Sequence, residues 1–164
     1  MSLADLHTIQ GATLAPDGIP LHYGDLKAEY QAGLECAVLM DRSHEGRLHL
    51  SGTDRFALLQ RISTNDLLNL AANEGRPTIF TNPNGRILDR VMVYNRQETA
   101  LILTEPGRGP ALRQYLQRNI FFNDQVTLAD LAATTRLFVL HGPPSRYDHQ
   151  CVGAGWQNTR TERL

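Results

Sequence analysis

Pro77-Thr78-Ile79-Phe80-Thr81-Asn82-Pro83-Asn84-Gly85-Arg86-Ile87-Leu88-Asp89-Arg90-Val91-Met92-Val93-Tyr94 is a strand, a turn and a strand written in order. The flanking runs are rich in β-branched and aromatic residues, which fit a pleated surface. Between them, Asn and Gly tolerate positive φ and Pro fixes its own, which predicts a hairpin centred on Asn84-Gly85. Asn95-Arg96-Gln97-Glu98 reads as a second turn and Thr99 to Thr104 as a third strand, so the region predicts an antiparallel meander.

Outward from the meander, strands and helices occur in sets. Upstream, residues 1–24 read as irregular, with a polar helix expected over Asp25 to Leu34. Ala37 to Asp41 is a short apolar run, and Gly46 to Ser51 alternates with period two. Gly52-Thr53-Asp54 reads as a helix start with Thr53 as N-cap, placing Phe56, Leu59 and Ile62 on one face. Leu67, Leu68 and Leu70 read as a short helix or turn. Downstream, a Gly/Pro loop from Glu105 to Pro110 leads into a helix with Leu112, Tyr115, Leu116 and Asn119 along one stripe. Val126 to Leu131 and Leu137 to Leu140 read as two more strands. The fold class expected is α+β, an antiparallel meander sheet with packed helices. Three segments are expected: an irregular start at 1–24, a domain at 25–143, and a weakly structured tail at 144–164, after Gly142-Pro143-Pro144.

Composition narrows the function. Sixteen Lys plus Arg against seventeen Asp plus Glu give a formal net charge of -1. That balance provides no footprint for nucleic acid and no polybasic patch for a membrane, while two or three placed cations still suffice for a small anion. No run of apolar residues is long enough to span a bilayer. The amino terminus lacks the basic start and apolar run of a signal peptide, so a cytoplasmic protein is expected. Cys36 and Cys151 are far apart, and the six histidines show no zinc spacing. No metal site is expected, and Cys36 reads as a core residue.

Alternation along Arg86 to Tyr94 puts Ile87, Asp89, Val91 and Val93 on one face. A carboxylate in that apolar row must face a pocket or find a partner, because an unpaired buried charge is costly. In a pocket, desolvation would raise its pKa toward the range useful for acid–base chemistry. As an ion pair, its partner would be Arg86 or Arg90 displaced by a bulge, or an arginine from elsewhere. Asp41-Arg42-Ser43-His44-Glu45-Gly46 reads as a polar connection that either joins two strands or forms a ligand-facing rim.

Four segments together resemble the amino-terminal region of the aminomethyltransferase family, which includes the glycine cleavage T-protein and YgfZ-type relatives. They are Pro20-Leu21-His22-Tyr23-Gly24, Asp41-Arg42-Ser43-His44, Thr81 through Asp89 (similar to T-N-x-x-G-x-I-x-D), and Leu140-His141-Gly142-Pro143. The resemblance implies a tetrahydrofolate-binding (or folinic acid-like folate-binding) region, with Asp89 as the catalytic carboxylate near the reactive folate nitrogen. It carries folate contacts onto Tyr23, Glu45, Leu88, Asp89 and Glu105, and lets Arg86 and Arg90 attract the folate glutamate tail. The partners it implies are folate and either a lipoylated carrier protein or iron–sulfur proteins. Some positions depart from the aminomethyltransferase pattern. Arg90 stands where a second aspartate is expected, Glu45 where a methionine is, and Glu105 where an asparagine is. Arg42 and Arg90 are closer to the YgfZ-type branch, which binds folate without catalysis and supports iron–sulfur cluster maintenance and tRNA modification. Family members run to about twice this length, so the resemblance also implies a truncation point in the tail, and an inactive fragment is a third reading.

Overall fold

The computed structural model describes residues 1–142. The expected tail, with Cys151 and Trp156, and Pro143 of the fourth segment lie outside the described residues. In chain order the elements are α1 (Leu3–Ile9), β1 (Thr13–Leu14), β2 (Pro20–His22), α2 (Leu26–Glu35), β3 (Val38–Asp41), β4 (Glu45–Ser51), α3 (Arg55–Ile62), β5 (Gly75–Thr81), β6 (Ile87–Asn95), β7 (Thr99–Pro106), α4 (Gly109–Asn119), β8 (Thr127–Asp130) and β9 (Phe138–His141). They divide into two compact units, Met1–Arg42 with the described residues from Leu137 onward, and Ser43–Arg136.

The second unit is built on a five-stranded antiparallel sheet in the order β5-β6-β7-β4-β8. The predicted meander is its first three strands. The hairpin turn closes as its residues dictate: Gly85 takes φ +72°, and Asn82 Oδ1 accepts from the backbone N–H groups of Asn84 and Arg86. Cross-strand partners Leu48 and Ile102, Leu50 and Ala100, and Val93 and Ile102 share one face, buried with Leu58 and Leu59 of α3 and Leu112 and Leu116 of α4. Leu67 and Leu70 turn inward to the same core and Leu68 does not.

Three details differ from the sequence reading. Helix α3 begins one residue later than Thr53 implies. Asp54 is its N-cap and uses Oδ2 on the Gln125 N–H instead of the helix. Leu58 joins Leu59 as the fully buried part of α3, with Phe56 and Ile62 only partly covered. The two final strands also separate. β8 extends the large sheet beside β4, whereas β9 pairs with β3 in the first unit.

The first unit corrects the expectation of an irregular start. Residues 3–9 are helical because Ser2 and Asp5 form a reciprocal capping box, with Ser2 Oγ accepting from the Asp5 N–H and Asp5 from the Ser2 N–H. His7 is the buried anchor of that helix. Its Nε2 lies 3.0 Å from Asp41 Oδ2 and its Nδ1 2.7 Å from the Tyr23 hydroxyl. Helix α2 appears where predicted, capped by Asp25 Oδ1 on the Ala28 N–H. Cys36, the C-cap of α2, is half-buried.

Candidate functional site

Strand β6 delivers Asp89 to the inner face of the large sheet. There it is opposite Phe80 of β5 and in line with buried Val91 and Val93. The predicted row therefore holds for three of its four members. Ile87 is 68% exposed, because the ladder shifts register between Phe80 and Thr81 before the row reaches it. Asp89 itself is only 6% exposed. Its Oδ2 is buried and accepts no hydrogen bond among the described residues. Burial pushes the carboxyl pKa up. The Arg108 guanidinium and a hydrogen bond from the Arg90 backbone N–H oppose that rise, and the Glu105 charge adds to it.

Asp89 opens onto a cleft of about 190 Å³ between the hairpin strand and α4. Leu88, Leu112 and Tyr115 form its apolar wall, and Arg108 and Arg118 are its cations. The Tyr115 hydroxyl donates to the Thr81 carbonyl at 2.9 Å, and its ring tilts against Phe80 at 5.9 Å between centroids. Desolvation raises the Tyr115 pKa, which keeps the phenol neutral. Both readings of Asp89 thus hold in part. It faces a cleft, and it also has a cation beside it, with Arg108 Nε 3.7 Å from Oδ2. Arg108 is the arginine from elsewhere; Arg90 turns to Glu105 at 2.7 Å across the β6–β7 ladder.

The residues expected from the sequence separate into groups. Leu88 and Asp89 line the cleft together. Glu105 acts on Asp89 through its charge while bound to Arg90. Glu45 is buried at the start of β4, beside Pro106 at the end of β7. Its carbonyl accepts from Arg47 Nη1 at 2.7 Å. Tyr23 belongs to the first unit, where its hydroxyl meets His7 and its N–H donates to Glu29 Oε1 at 2.7 Å. Its pKa is raised by burial and by the charges of Asp41 and Glu29. Sequence reasoning missed Arg108, Tyr115 and Arg118 as site residues. Gly107-Arg108-Gly109 was legible only as a loop, and Tyr115 only as part of a core stripe. The available signal was Pro110, which marks a helix start and so puts Arg108 at the junction of a strand end and a helix.

No cluster of three or more metal-ligating side chains occurs among the described residues. No helix among them is long and apolar enough to cross a membrane.

Comparison with known proteins adds to this geometry. The profile of the GCVT N-terminal domain family matches residues 10–151. A chloroplastic protein of Arabidopsis thaliana named as a transferase is 28% identical over 141 residues, covering 86% of this chain and 33% of the relative. The aminomethyltransferase of Shouchella clausii is 30% identical over 145 residues, covering 86% of this chain and 39% of the relative. The crystal structure of the glycine cleavage system aminomethyltransferase T from Bartonella henselae superposes with a TM-score of 0.76 at 24% identity, covering 85% of this chain and 39% of that one. That likeness establishes the α+β fold. The chain spans well under half the length of the relatives it matches.

Proposed function

Because the chain belongs to the GCVT N-terminal domain family, we propose that it is the tetrahydrofolate-binding region of an aminomethyltransferase-like protein, with Asp89 at the one-carbon acceptor. The observation that carries this is the buried Asp89 Oδ2, which receives no hydrogen bond among the described residues and lines a cleft with an apolar wall and a cationic rim. A buried acceptor without a partner is costly unless a ligand supplies the donor. The cleft is smaller than the roughly 300–1,000 Å³ of pockets that hold a whole drug-sized ligand. It therefore fits one ring system, with the remainder of the ligand outside.

Tetrahydrofolate supplies ring and bridge N–H donors and the nitrogen that takes up the one-carbon unit. Asp89 accepts an N–H at Oδ2 and holds or releases a proton there, for which its desolvated position suits it. Leu88, Leu112 and Tyr115 flank a flat heterocycle and exclude water. Arg118 offers charge to an anionic tail, in place of Arg90, which is committed to Glu105. The cytoplasm is the expected location and a lipoylated carrier protein the expected partner.

A second reading is supported by the Arg90–Glu105 ion pair. Both residues depart from the aminomethyltransferase pattern, and they bind each other. That pairing favours a non-catalytic YgfZ-type folate-binding protein supporting iron–sulfur proteins. Calorimetric titration of the 164-residue chain with folinic acid tests folate binding. Saturable heat that Asp89→Asn abolishes supports it, and no heat from the folded parent chain overturns it. Methylene-tetrahydrofolate formation by the gene product with lipoylated carrier protein then separates the two branches.

A further inference from the structure

Arg108 is placed where helix physics does not want it. It is the N-cap of α4, with no side-chain capping bond, and a cation at a helix amino terminus opposes the macrodipole. Its position is nevertheless tightly specified. Gly107 takes φ +72°, which turns the chain out of β7. Pro110 fixes the first turn of α4. Gly46 and Gly109 approach so closely that a Cβ on Gly46 would stand 2.8 Å from Gly109 Cα. The Arg108 head is then held by a 2.7 Å bond from Nη2 to the Leu88 carbonyl. Its Nε stops 3.7 Å from Asp89 Oδ2, within Coulombic range but too long for a hydrogen bond.

We propose that Arg108 is a positioning residue for Asp89, supplying the counter-charge to the carboxylate without consuming Oδ2, so that a ligand N–H can take that lone pair. The ligand part of this rests on the folate-site reading; the Arg108–Asp89 part does not. The groups facing Asp89 fit the assignment. Glu105 of β7 carries the opposing charge and is bound to Arg90 of β6. From α4, Tyr115 has committed its hydroxyl to Thr81, and Arg118 shares the cleft wall. Arg108 is thus the cation nearest to Oδ2 among the described residues. Half of its side chain is exposed to solvent, whereas Asp89 is buried, so a ligand entering the cleft can reach both.

The test uses the full chain with Asp89 followed by carboxyl ¹³C NMR, its signal assigned by loss in Asp89→Asn. Removing the cation in Arg108→Gln should move the Asp89 titration to higher pH, and Arg108→Lys should restore most of it. Melting temperatures of both variants should stay close to the parent. Folinic acid affinity of Arg108→Gln should fall in mild acid and recover at pH above the new midpoint. An unmoved Asp89 titration in Arg108→Gln overturns the proposal. So does an affinity loss that is equal at every pH, which is what a purely structural role would give. If the titration moves but the parent chain binds no folinic acid, the folate reading fails and the Arg108–Asp89 assignment stands.

Discussion

Replacing Arg47 by methionine should destabilise the chain far beyond an ordinary surface change. Arg47 leaves β4 3% exposed, in the middle of a ring of main-chain acceptors. Nη1 donates to the carbonyls of Glu45 at 2.7 Å and Ser43 at 3.2 Å. Nη2 reaches the Ala132 carbonyl at 2.8 Å and that of Thr135 at 3.3 Å, and Nε reaches Thr135 Oγ1 at 2.9 Å. One guanidinium therefore ties the 43–45 turn to the 132–135 turn. Methionine fills much of the volume but donates nothing, leaving these carbonyls short of a donor at roughly 1–3 kcal/mol each, not additively. Several buried acceptors left short together should cost at least about 3 kcal/mol, and at roughly 2–4 °C per kcal/mol for a chain of 164 residues the melting temperature should fall by at least about 6 °C. Thermal and urea unfolding followed by circular dichroism measure it, with Arg47→Lys expected in between because it keeps the charge but not the fork. A melting temperature within about 2 °C of the parent, equivalent to roughly 1 kcal/mol or less, would refute the claim that the guanidinium holds the two turns.

Other perturbations follow from the same geometry. Asp89→Asn should bind no folate and yet be at least as stable at neutral pH. The folded carboxyl titrates above its unfolded value, so ionisation costs stability as pH rises from the unfolded value through the folded one; urea unfolding across mildly acidic pH should show that slope in the parent and not in the variant. Gly46→Ala puts a methyl 2.5 Å from Thr104 Oγ1 and 2.8 Å from Gly109 Cα. The resulting overpacking should cost about 1–3 kcal/mol in chemical denaturation and, by shifting the start of α4, weaken folinic acid binding. His7→Ala removes the ring that touches both Asp41 and Tyr23. It should cost about 2–4 kcal/mol and speed amide exchange in α1 more than in β6, as read by hydrogen-exchange mass spectrometry.

Local signals carried much of the fold. The hairpin was legible because turn chemistry at Asn82 to Gly85 and alternation after it agree, and Asp89 stood out because alternation put a charge among β-branched residues. Helix α1 was hidden because seven residues are too few to hold a helix alone and depend on the Ser2 box and on His7, which finds Asp41 thirty-four positions away. The partition of the last two strands was hidden for a related reason. β8 and β9 read alike as short apolar runs, and only pairing with β4 or β3 distinguishes them. The cleft was half legible. Asp89 could be read off its own strand, but Arg108 reaches it through a helix packing against a sheet, a contact with no local periodicity.

The Arg90–Glu105 pair gives those long-range terms a direct test. The two side chains are 73% and 44% exposed, so the bond contributes at most about 1 kcal/mol. Its larger effect is on the neighbouring charge. Glu105→Asn removes the negative charge that raises Asp89, and the Asp89 titration should move down, opposite to the shift in Arg108→Gln. Arg90→Asp adds a carboxylate directly across from Glu105 and should move it up, with a loss of stability from like charges on facing strands. The double variant Arg90→Asp with Glu105→Asn should recover stability relative to Arg90→Asp alone, a coupling of about 0.2–1 kcal/mol in a double-mutant cycle. Strictly additive stabilities would show that the two residues are independent. The ion pair would then lose its standing as the reason both positions depart from the aminomethyltransferase pattern together.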